Sequence, residues 1–158
     1  MRLSTNISYK EATHSNTATK LGIDNIPNEE QLKEMESLAV DVFQPLREYV
    51  DGPIRVTSFF RCSDLNRAVG GSTSSQHCKG QAIDLDDTFG CKTNAEMFEF
   101  IKENLKFDQL IWEFGDDKNP DWIHVSYVTH RGNRGKVLKA YREDGRTKYK
   151  QIDYKICE

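Results

Sequence analysis

Apolar residues recur at two different periods along this chain. After Asn28, the residues Leu32, Met35, Ala39, Val42, Phe43 and Leu46 fall on one stripe of a helix. Pro45 sits inside that stripe and is expected to kink the helix or end it early. Later segments read differently: Asp108–Phe114, Trp122–Val128 and Val137–Tyr141 are rich in aromatic and β-branched residues and suit strands. Asp144-Gly145 marks a tight turn into a final strand near Lys148–Ile152. Helices first and antiparallel strands later imply an α+β fold, not a wound parallel sheet.

Local signals refine this outline. Ser8-x-x-Glu11 and Thr93-x-x-Glu96 resemble capping boxes, and the second precedes Phe98, Ile101 and Leu105 at helical spacing. Asp51-Gly52-Pro53 breaks the long helix before a strand over Ile54–Phe60. Asp64–Val69 reads as a short helix closed by Gly70-Gly71, and Gln81–Asp86 as a short strand. Neither an internal repeat nor a low-complexity linker interrupts the chain. Its 158 residues suit a single domain, with N-terminal helices over residues 1–52 and an α+β core over 53–158.

Composition removes several classes of function. With 22 Lys and Arg against 25 Asp and Glu, net charge is -3, so no basic excess points to nucleic acid. Apolar runs are too short for membrane insertion. Met1–Asn16 lacks the apolar stretch of a secretory signal, which gives the expectation of a cytoplasmic protein, or one released by a route the sequence does not encode. Cys62, Cys78, Cys91 and Cys157 form no CxxC pair and read as free thiols. A monomer is expected.

The chemistry concentrates in two stretches. In Ser75-Gln76-His77-Cys78-Lys79-Gly80-Gln81-Ala82-Ile83-Asp84-Leu85, a glycine turn separates a histidine from an aspartate on a strand. Strand alternation sets Ala82, Asp84 and Asp86 on one face and Ile83 and Leu85 on the other. Gly80 lets the chain return His77 towards Asp84, and imidazole with carboxylate is a sensible pair of zinc ligands. In isolation such a pair is more often a turn histidine and a solvated aspartate. The second stretch, Asp121-Trp122-Ile123-His124-Val125-Ser126, supplies a third ligand in His124 from a neighbouring strand. Three protein ligands leave a fourth position for water, and Asp121 stands at the mouth of the strand as a candidate proton acceptor.

Together, Ser75-x-His77-x-x-Gly80-x-Ala82-x-Asp84 and Asp121-x-x-His124 resemble the zinc D-Ala-D-Ala carboxypeptidase family. That family includes vancomycin-resistance dipeptidases and phage endolysins that cut L-Ala–D-Glu bonds, and it shares the Hedgehog/DD-peptidase fold. Thr57-Ser58-Phe59-Phe60-Arg61, with Asn66 and Val69-Gly70-Gly71 behind it, is similar to the segment that carries the family's substrate arginine, although the family often has Ser-Gly-Tyr-Arg there. The resemblance covers about Ile54 to Tyr127. It implies one Zn2+ held by His77, Asp84 and His124, a general base at Asp121, and Arg61 on the oxyanion or substrate carboxylate. The implied fold is a central antiparallel sheet with helices packed on it and zinc in a cleft. The implied substrate is a peptidoglycan stem peptide, cut at its D-Ala-D-Ala end or within the stem. Without a signal or a wall-binding module, a phage or prophage lysis enzyme is the expected type. The competing class is a non-catalytic zinc-binding module or a phage structural protein on the same scaffold.

Other candidates carry less. Glu113 lies in the apolar run Leu110–Phe114, where a carboxylate needs a partner. Substrate contact, orientation of a ligand histidine and replacement of Asp121 as base are all open to it, against an edge glutamate facing water. Ser75 can bind a substrate carboxylate or cap its turn. Asp86 and Asp87 read as a solvated loop, His14 and His130 as surface residues, Cys78 as inert, and Trp112 and Trp122 as core or cleft-wall aromatics.

Overall fold

Three reciprocal caps set where helices begin in the computed structural model, which describes residues 1–157. Ser8 and Glu11 exchange bonds of 2.9 and 3.1 Å at the head of α1 (Tyr9–Thr13). Asn28 and Gln31 do so at 2.8 Å before α3 (Glu29–Leu38), and Thr93 with Glu96 before α6 (Asn94–Asn104). Each pair satisfies two backbone donors that a helix start leaves open. The remaining helices are α2 (Asn16–Leu21), α4 (Gln44–Val50) and α5 (Ser63–Ala68).

Pro45 neither ends nor breaks the long helical run. Ala39–Phe43 widens into a π-turn, and the Gln44 N–H reaches back to the Ala39 carbonyl. The extra residue in that turn relieves the clash between a proline ring and the carbonyl four residues earlier. The helical stripe therefore continues into α4, and Met35, Leu38, Val42 and Leu46 are all fully buried.

Strands β1 (Arg2–Ser4) and β2 (Ile7–Ser8) form a small separate hairpin, which the sequence reading missed together with α2. The main sheet has six strands: β3 (Arg55–Ser58), β4 (Ala82–Asp86), β5 (Gln109–Glu113), β6 (Trp122–Ser126), β7 (Lys136–Glu143) and β8 (Arg146–Tyr154), in the order β3-β4-β6-β5-β7-β8. One face carries Ile83, Leu85, Leu110, Ile123 and Val125, which join the helical residues Met35, Leu38, Met97 and Ile101 in a single buried cluster. Burying each such side chain contributes about 1.5–3 kcal/mol.

The sheet is not wholly antiparallel, because β5 and β7 pair in parallel. Strand β6 inserts between β4 and β5 and runs against both. A strand that turns back from β6 must then run with β5, on its free side. The loop that carries the chain across is moored by Asp108, just before β5. The fully buried Asp108 carboxylate accepts bonds from Arg131 (2.7 and 3.1 Å), from Arg134 (3.0, 3.0 and 2.7 Å) and from Gln76 (3.0 Å).

Burial alone would push the Asp108 carboxyl up, but the bonds from Arg134 and Arg131 outweigh it and hold it well below the usual range. A carboxyl depressed on folding contributes stability above its unfolded value, about 3.9, and that contribution is lost as pH falls below it. Asp108→Asn should therefore lower stability at pH 7 by about 3 kcal/mol, the low end for a buried partner because both guanidiniums can still reach water. Denaturant melts between pH 7 and 3 should show the gap between variant and wild type closing as acid is added; a gap that stays constant would mean that the charge of Asp108 is not what stabilises the loop.

Candidate metal centre

Sheet register builds the centre. Asp84 on β4 stands opposite His124 on β6, which stands opposite Ile111 on β5. Glu113, paired with Trp122, is the diagonal neighbour of His124 on the same face. That face turns away from the helices, so the chemistry lies on the open side of the sheet.

His77 arrives from outside the sheet. It sits in a short 3₁₀ turn (Gln76–Lys79) that Ser75 caps by accepting the His77 N–H at 3.2 Å. Gly80 closes the turn at φ 73°, and a Cβ there would lie 2.4 Å from the Gln31 carbonyl oxygen on α3. Only glycine satisfies both conditions.

The buried His77 ring gives its Nδ1 proton to the Phe59 carbonyl at 2.7 Å, since a carbonyl can only accept. Its Nε2 is buried without a hydrogen-bond partner and lies 3.2 Å from Asp84 Oδ2. The other oxygen, Asp84 Oδ1, lies 2.9 Å from His124 Nδ1. A lone pair facing a carboxylate oxygen is unfavourable until a second ring proton or a cation comes between them. His77, Asp84 and His124 each offer one ligand atom, all within 4.8 Å of one another, so the three can hold a metal ion. Burial would raise the Asp84 carboxyl, but the two imidazoles outweigh it and keep it ionised.

The centre opens into a cleft of about 990 Å³. Glu113 lines it and is only 7% exposed. Burial, opposed by His124 and reinforced by Asp84, pushes its carboxyl up to about 7. Phe114 next to it adopts φ 57°, an uncommon backbone state for a bulky residue, under the Arg142 guanidinium at 4.7 Å. Arg61 also lines the cleft; its Nη2 stands 3.5 Å from Ser75 Oγ, and its buried Nε has no partner.

Asp121 is not brought into this cleft. It lies exposed in the bend just before β6, three residues ahead of His124. It lines a separate hollow with Gly115, Lys139 and Tyr141, while its backbone bonds to Glu113 and Asn94. Glu113, by contrast, lines the cleft. His14 and His130 are exposed, as expected of surface residues; His130 lies at the rim of the cleft and His14 beside a second hollow. Trp112 packs on Phe98 in the core, Trp122 walls the cleft, and burial raises the Cys78 thiol, which keeps it protonated. Asp86 and Asp87 hold Asn94 at the start of α6.

The cleft residues Arg131, Arg134, Arg142 and Tyr149 escaped the sequence reading. Their one signal was a basic pair in the turn His130–Gly135, and its partner Asp108 is distant in sequence. The second hollow, about 480 Å³, shares Arg61, Val69, Asp84 and Trp122 with the cleft. The groove therefore continues on both sides of Asp84.

Comparison with curated proteins gives no match. A family model described as Peptidase M15 matches residues 5–126, a stretch that holds His77, Asp84 and His124 together with Arg61 and Glu113. It takes in most of the chain, and the protein is thus a member of the Peptidase M15 family of metallopeptidases.

Proposed function

We propose that this chain is a zinc-dependent peptidase that hydrolyses a bond within peptidoglycan stem peptides, in the manner of a phage lysis enzyme. The observation that carries this reading is the orphaned His77 Nε2 facing Asp84 and His124, with a buried Glu113 in the same cleft. Two imidazoles and one carboxylate suit zinc, and three protein ligands are typical of a catalytic site and not of a structural one. The groove on both sides of Asp84 favours a cut inside a chain over removal of a terminal residue. The motif resemblance supplies the substrate class.

Zinc, when bound, would supply Lewis acidity, polarising the scissile carbonyl and easing deprotonation of water. Glu113 takes the proton of the attacking water on its carboxylate and passes it to the leaving amine as the C–N bond breaks. Arg61 has no carboxylate partner of its own within its hydrogen bonds and directs its guanidinium at substrate oxygen. Asp121, the base that motif spacing suggested, stands aside.

Metal analysis should find about one zinc per chain, largely lost in His77→Ala and in His124→Ala. Retention of zinc by both variants would overturn the ligand assignment.

Glu113→Gln should keep zinc and fold but lose about a hundredfold or more in rate on purified peptidoglycan, while Asp121→Asn stays near wild type. A dication nearby favours the charged carboxylate, so the acid limb of the wild-type rate profile should lie below 7. That limb should vanish in Glu113→Gln. An inactive Asp121→Asn beside an active Glu113→Gln would reverse the two roles.

A further inference from the structure

The cleft is cationic although the chain as a whole is acidic. Among the described residues, Arg61, Lys79, Arg131, Arg134 and Arg142 line it, against two carboxylates, Asp84 and Glu113. Net charge over the chain is -3. Both of those carboxylates are committed to the metal centre. The surplus positive charge therefore faces whatever occupies the groove.

Two of these cations are fixed in place. Asp108 fastens Arg131 and Arg134 side by side, and one carboxylate cannot neutralise two guanidiniums. Both side chains remain open to the cleft, at 39% and 40% exposure. Their ordering is already achieved by Asp108, so an incoming anion meets preorganised forks and loses little entropy in binding them. Gln76, one residue before the ligand His77, also bonds Asp108, so the guanidinium pair and the metal centre share one rigid support.

We propose that Arg131 and Arg134 form a carboxylate-binding subsite that selects an acidic residue of the substrate near the cleaved bond. This rests on the peptidase reading above. Along β5, Asp108 precedes Ile111, the register partner of His124, by three residues. At about 3.3 Å per strand residue, the Asp108 anchor that holds the pair is set back about 10 Å along the backbone from the residue opposite His124. An extended peptide covers that span in roughly three residues, which sets where the acidic group should lie. Both arginines lie on the crossover loop between β6 and β7, outside the 5–126 stretch that matches the family.

The test uses synthetic stem peptides identical except for one carboxylate replaced by its carboxamide, at each acidic position in turn. Stopped-flow mixing with zinc-loaded wild-type protein reads binding through tryptophan emission, since Trp122 lines the cleft, and chromatography of the same samples reads hydrolysis. Amidation two to three residues from the cut should weaken binding about tenfold and raise KM with little change in kcat, whereas amidation elsewhere should not. In Arg131→Gln, shown folded by its melting curve, acid and amide peptides should bind alike. Arg131→Lys should restore part of the preference. Equal binding of acid and amide peptides by the wild type, no binding of either, or a preference that persists in Arg131→Gln would overturn the subsite. Acid-selective binding without hydrolysis would leave the subsite standing and sink the peptidase reading instead.

Discussion

The pairing of β4 with β6 is the constraint on which the centre depends. Asp84 meets His124 across that ladder, and Ile83 meets Val125 beside them. Side chains alternate along a strand, so a slip of one residue would drive a carboxylate or an imidazole into the helix-covered core and expose an aliphatic residue in its place. Burial of Ile83, Leu85, Ile123 and Val125 thus fixes Asp84 and His124 as firmly as it fixes the core. Packing on one face of the sheet determines the chemistry on the other.

Three carboxyl groups stand in or near the cleft, and each meets a different electrostatic environment. Asp84 faces two imidazoles and stays ionised. Asp108 faces two guanidiniums and stays ionised more permanently, because arginine does not give up its proton. Glu113 has no cationic side chain bonded to it, and its carboxyl rises to about 7 under burial. A group poised near neutrality can both accept and return a proton, which the other two cannot do. The division of roles proposed for them rests on what surrounds each carboxyl and not on residue type.

Much of this was legible in the chain. Alternation placed Asp84 and His124 on a common face, capping boxes marked α1 and α6, and the stripe after Asn28 found the long helix. What escaped depended on partners far apart in sequence. The parallel pairing of β5 with β7 follows from where β6 inserts, which no local pattern records. Asp108 reads as an ordinary residue before a strand until the crossover loop brings two arginines to it. Asp121 drew notice through its closeness in sequence to His124, but β5 brings Glu113 alongside that histidine across the sheet, while Asp121, in the bend before β6, lines a separate hollow.

The absent side chain at Gly80 has an effect beyond the turn it closes. It lets the His77 segment rest against the backbone of α3, where Gln31 also holds the Cys78 carbonyl at 3.0 Å. The first turn of that helix and the ligand turn are thus joined by a close backbone approach and a hydrogen bond. Any free energy gained when the three side chains bind a cation is then shared with the helix through thermodynamic linkage. Amide exchange in the first turn of α3 becomes a readout of metal occupancy, although no residue of that helix is among the three ligands.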